Sequence, residues 1–94
     1  MSPEKLSPAE IERRLQSLPD WVVDQHKLYR QFVFRDFVEA FGFISRVALL
    51  AEAMNHHPDL GISWNKVTVA ITNHAEGGLT EKDFELAGKV QSLA

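Results

Sequence analysis

The longest stretch of helical spacing in the chain constrains its fold most. From Asp36 to about Met54, apolar side chains recur at Phe37, Ala40, Phe41, Phe43, Ile44, Val47, Ala48, Leu50, Ala51 and Met54. At 3.6 residues per turn they span about half the helix circumference, wider than the ~100° stripe that covers one sheet face. Val38 and Leu49 lie outside even that sector. Asp36 with Glu39 three residues later gives a cap-then-acid start. Pro58 bars the helix from continuing and biases His57 toward extended backbone. A chain of 94 residues can bury only a modest core. The surplus apolar surface therefore predicts self-association, as a homodimer or homotetramer.

Around this helix the other elements fall into place. Ser7-Pro8-Ala9-Glu10 is a capping box with proline at the first helical position. Ile11, Leu15 and Leu18 follow at helical spacing until Pro19 stops the element. Trp21-Val22-Val23 starts a strand, a turn falls near Asp24 to Lys27, and a second strand from Leu28 to Phe34 alternates Leu28, Phe32 and Phe34 onto one face. After the long helix, Gly61 to Trp64, a turn at Asn65-Lys66 and Val67 to Thr72 form a hairpin. Val67, Val69 and Ile71 face one way, Thr68, Ala70 and Thr72 the other. Gly77-Gly78 turns the chain, and Thr80-Glu81-Lys82-Asp83 caps a last helix with Phe84, Ala87, Val90 and Leu93 as its buried stripe. The predicted fold is α+β, with a four-stranded antiparallel sheet, three helices packed on one face and the order α-β-β-α-β-β-α. One domain covers residues 1–94.

Composition narrows the functions. A net charge of -3 gives no basic surface for direct nucleic-acid binding. No run approaches the ~18 apolar residues of a membrane span. The first residues lack a secretion-signal pattern. With no cysteine there is neither a disulfide framework nor a thiol nucleophile, so a cytoplasmic setting is expected.

The chemistry is concentrated between Glu52 and Asp83. Three of the four histidines, His56, His57 and His74, fall within it, while His26 sits at a turn and reads as solvated. Imidazole both gives and takes protons near neutral pH. His56 follows Glu52 by four residues, so if the last helical turn persists the carboxylate can orient that ring. Metal binding fits poorly, because the His-x-x-x-His spacing is absent and neighbours in an extended segment point to opposite sides. No nucleophile elbow is present. Acid–base work on a small molecule remains. If the fourth strand stays extended, His74 joins the Thr72 side, where a pocket can form. Locally, Asp83 reads as a capping acid.

The arrangement Glu52-x3-His56-His57-Pro58-x5-Trp64-x9-His74-x8-Asp83 resembles the signature of the pterin-4a-carbinolamine dehydratases, also called dimerisation cofactors of a homeodomain transcription factor. Phe34 to Phe37, Ala40 to Phe43, Arg46 to Leu49, Asn65-Lys66-Val67 and Gly78-Leu79-Thr80 are similar too. The resemblance implies dehydration of 4a-hydroxytetrahydrobiopterin, or a related 4a-hydroxytetrahydropterin, to the quinonoid dihydropterin, recycling the pterin after aromatic amino acid hydroxylation. It implies His56 and His74 as the acid–base pair, His57 holding the pterin, Glu52 supporting the site and Asp83 orienting a histidine. Asn55, His56, His57 and Thr72, Asn73, His74 and Ala75 would line the substrate pocket, with no metal and no cofactor. The chain differs from the commoner pattern at Asn55, Leu60, Asn73 and Ala75. The rival function is a non-catalytic interaction module or transcriptional coactivator acting through the long helix.

Overall fold

A computed structural model describes residues 5–72 and 77–94. The first helix, α1 (Pro8–Leu15), begins at Ser7, whose hydroxyl accepts the Glu10 N–H at 3.2 Å while Glu10 accepts the Ser7 N–H. It ends earlier than its apolar spacing suggests. The N–H groups of Gln16, Ser17 and Leu18 return to carbonyls three residues back, at 3.0–3.3 Å, so the last turn tightens and unwinds. Leu18, beyond the helix, is buried, whereas Ile11 and Leu15 only lean on the core.

Strands β1 (Val22–Asp24) and β2 (Lys27–Val33) form a hairpin closed by Gln25 and His26. Both central residues have positive φ, 50° and 67°, as a two-residue turn of primed type requires. Helix α2 (Phe37–Met54) starts at Asp36, which accepts the Glu39 N–H at 2.9 Å. Strands β3 (Asp59–Ser63) and β4 (Lys66–Ile71) follow, and α3 (Glu81–Leu93) ends the chain. The strand order is β1-β2-β4-β3 with every pairing antiparallel, so the predicted α+β order is the observed one.

The β3–β4 turn lies one residue earlier than the sequence suggests, with Ser63 paired to Lys66 across Trp64 and Asn65. Asn65 is locked against the end of β2: its side-chain amide donates to Phe34 O at 2.9 Å, and Phe34 N–H donates back to Asn65 O at 2.8 Å. Trp64 is left at the tip with φ 51° and 65% exposure, so it does not pack on the sheet.

Period-two alternation decides which sheet face is covered. Leu28, Phe32, Val67, Val69 and Ile71 are buried against Ala40, Phe43 and Val47 of α2 and Phe84, Leu86, Ala87 and Val90 of α3. Leu86 was not apparent from the helical stripe. At the far end of α3, the Trp21 indole N–H and Arg30 both donate to Gln91 Oε1, at 3.0 and 2.9 Å. Helix α2 carries more apolar surface than the core covers: Phe37 and Phe41 at the edge of its wide sector and Val38 and Leu49 outside it are 51–80% exposed. Among the described residues no helix is long and apolar enough to cross a membrane.

Candidate functional site

The candidate site is built where α2 ends and α3 begins. Asn55 takes the left-handed conformation, φ 51° and ψ 43°, at the end of α2. Its N–H returns to Glu52 O and the next N–H, that of His56, reaches Ala51 O, each at 3.1 Å. This pairing is the Schellman closure, in which asparagine tolerates the backbone that other side chains resist. Asn55 thus has a helix-terminating role, and the reversal separates the two histidines that follow.

His56 turns inward. Its Nε2 lies 2.5 Å from Asp83 Oδ1, and the two side chains are 12% and 0% exposed. His57 turns outward, with Nε2 2.6 Å from Glu52 Oε1 and side chains 56% and 78% exposed. The helical spacing that would pair Glu52 with His56 is broken because α2 stops at Met54; Glu52 reaches His57 instead. An ionised carboxylate only accepts hydrogen bonds, so each Nε2 carries the shared hydrogen, and a ring in its neutral form has its lone pair on Nδ1. Burial makes the Asp83–His56 contact the stronger constraint, since water competes at the exposed pair.

Asp83 is held from behind. Its Oδ2 accepts the Thr80 N–H at 2.7 Å and the Thr80 hydroxyl at 3.2 Å. It caps α3 and holds His56 with its two different oxygens. The T-x-x-D spacing marks Thr80 as a cap residue and does not show that it also holds the carboxylate that meets His56. The backbone of Thr80 is in turn bridged to Lys5, and Leu6 N–H donates to Leu79 O at 2.8 Å. No local pattern announces that long-range strap.

The remaining sequence-predicted residues divide in two. Thr72 is half-buried after β4, its hydroxyl donating to His26 O at 3.1 Å. Asn73, His74 and Ala75 lie outside the described residues. His26 is exposed at its turn. Among the described residues, no three histidine or acidic side chains converge as a metal centre.

Fold and site define a class: an α+β domain in which helix ends bring carboxylate-held imidazoles to one corner. The family model described as pterin 4 alpha carbinolamine dehydratase matches residues 4–93, and the chain belongs to that family. A protein of Thermosynechococcus vestitus, provisionally named a pterin-4-alpha-carbinolamine dehydratase, is 47% identical over 91 residues, covering 97% of this chain and 96% of its own. The crystal structure of a transcriptional coactivator/pterin dehydratase from Brucella melitensis superposes with a TM-score of 0.92 at 35% identity, covering 97% of this chain and 99% of that one. A pterin dehydratase-like protein described as a RuBisCO assembly factor in the alpha-carboxysome shares the fold at a TM-score of 0.65 and 21% identity, over 79% of this chain and 86% of its own.

Proposed function

We propose that this chain, as one domain over residues 1–94, dehydrates a 4a-hydroxytetrahydropterin such as 4a-hydroxytetrahydrobiopterin by general acid–base catalysis. In that reaction a base takes the proton from N5, the N–H electron pair forms the N5–C4a double bond, and the C4a–O pair leaves with the oxygen. An acid must protonate that oxygen, because hydroxide is a poor leaving group, so the products are quinonoid dihydropterin and water. Imidazole is matched to both transfers near neutral pH. His56 and His74 are assigned the transfers, His57 holds the pterin, Glu52 supports His57, and Asp83 fixes the ring of His56. Asn55, Thr72, Asn73 and Ala75 are assigned to the pocket. The biological setting is cytoplasmic recycling of the pterin after aromatic amino acid hydroxylation.

The observation that carries this reading is the nearly buried His56 ring held 2.5 Å from a fully buried carboxylate. A solvated histidine does not require such a partner; a buried structural one does, so the contact supports an oriented ring and turnover decides its use. The test is stopped-flow turnover of chemically generated 4a-hydroxytetrahydropterin. His56→Ala and His74→Ala should each lose about 10²–10⁴-fold, the usual contribution of a positioned acid or base. Equal rates in folded variants would remove the assignment.

The exposed apolar residues of α2 favour a second reading that is compatible with the first. Phe37, Val38, Phe41 and Leu49 form the surface that a second copy covers in the proposed homodimer or homotetramer. The alternative module acting without catalysis would use the same helix. Light scattering that gave a concentration-independent monomer of 10.6 kDa would end the oligomer proposal.

A further inference from the structure

We infer that Thr80 is a positioning residue for the proposed reaction, acting on His56 through Asp83; the inference rests on the acid–base reading above. A carboxylate has two chemically equivalent oxygens and a broad terminal torsion, so the His56 contact alone does not fix its plane. Thr80 fixes it from the other side, by placing both its N–H and its hydroxyl on Oδ2, at 2.7 and 3.2 Å, in a site where Thr80 and Asp83 are fully buried. With Oδ2 occupied, Oδ1 is the oxygen left for the Nε2 of His56. The N–H is itself stationary, because the Leu79–Thr80 backbone is strapped to Lys5 and Leu6. The hydroxyl is the component that substitution can remove while this backbone remains.

Loss of the hydroxyl leaves a buried oxygen with one donor fewer, and such an oxygen turns to recover hydrogen bonding. Any turn of the carboxylate carries Oδ1 away from the line of Nε2–H. The ring of His56 then samples both tautomers, and only one of them presents Nδ1 as the lone pair. The residue therefore governs the rate of the chemical step and not the affinity for pterin.

The experiment compares wild type, Thr80→Val and Thr80→Ser by stopped-flow turnover and by ¹⁵N NMR of the His56 ring. Valine keeps the β-branched shape and removes the donor; serine keeps the donor. Thr80→Val should lower kcat about tenfold with KM little changed, short of the ~10²-fold that a 1 Å misplacement can cost. The His56 spectrum should pass from one tautomer to a mixture, and Thr80→Ser should recover most of both properties. A folded Thr80→Val protein with wild-type kcat and a wild-type His56 spectrum overturns the inference. So does a loss of kcat in which the tautomer is unchanged and serine brings no recovery. Should the valine protein fail to fold, Thr80→Cys, with its weaker donor, replaces it; an intermediate rate and a mixed tautomer support the inference, and wild-type values refute it. The NMR signal needs no turnover. If His56→Ala retained full activity, the catalytic reading alone would fall, and the spectrum would still report whether Thr80 sets the ring.

Discussion

The two outer helices, α1 and α3, begin with the same local pattern, a hydroxyl residue followed three places later by an acid, yet the acids do different work. At α1, Ser7 is exposed and the Glu10 side chain is 43% exposed; Glu10 accepts from Ser7 and lies 3.9 Å from Arg13. At α3, Thr80 and Asp83 are fully buried, and the acid's second oxygen crosses to His56 on another element. The capping chemistry is shared. What differs is the surroundings: α3 starts beneath the strap of Lys5 and Leu6 and against the end of α2, while α1 starts in water. A buried carboxylate leaves no lone pair to solvent, so its spare oxygen needs a partner. Burial turns a helix cap into a support for an imidazole.

The largest expected contrast is in turnover. Asp83→Asn can still cap α3, but its amide can present N–H₂ to His56 Nε2 and favour the opposite tautomer. The rate of pterin dehydration should fall about 10²–10⁴-fold, the scale on which wrong-tautomer and lost acid–base effects operate. Glu10→Gln, the same exchange in the other box, should leave the rate unchanged. Parallel stopped-flow measurements decide the matter: an Asp83→Asn protein with full activity would make the two boxes equivalent.

A smaller contrast is expected in stability. Replacing an N-cap hydroxyl residue by alanine costs about 0.5–2 kcal/mol. Ser7→Ala should sit near ~0.5 kcal/mol, because water reaches the donors it uncovers. Thr80→Ala should sit near ~2 kcal/mol, because it takes one donor from a buried carboxylate. Urea unfolding of the two variants gives the difference directly, and equal midpoints would show that burial adds nothing to the cap.

Much of this was legible along the chain, and the failures have physical reasons. Helix α2 starts and ends where its apolar spacing does, although the left-handed Asn55 and not Pro58 closes it; the exposure of Phe37 and Phe41 followed from the width of the apolar sector, and that of Val38 and Leu49 from their place outside it. The Thr80–Asp83 cap was visible as a spacing. The partner of each histidine was not. Assigning Glu52 to His56 assumed another helical turn, and the left-handed backbone of Asn55 rotates that residue inward and gives Glu52 to His57. The β3–β4 turn slipped by one residue because Asn65 is fixed by Phe34, 31 positions away in the chain. Leu86 and the Lys5–Leu6 strap depend on the same kind of distant contact, which periodicity does not carry.

The smallest expected effect concerns charge at the exposed box. The N–H and hydroxyl of Ser7 hold the Glu10 carboxyl below its ordinary value of 4.5, against an opposing effect of desolvation, with weaker contributions from Arg13 and Arg14 in the lowering direction. A carboxyl whose folded pKa is depressed stabilises the fold above the unfolded value, and loses that contribution as pH falls through the folded one. Glutamine at the same position can form the reciprocal cap without the charge. Wild type should therefore melt slightly above Glu10→Gln at pH 6 to 7, and the gap should close as pH drops below about 4.5, where the unfolded carboxyl begins to take up protons. A gap that stayed constant from pH 7 to pH 3 would assign the difference to side-chain shape. It would also mean that α1 is started by hydrogen-bond geometry without help from its anion.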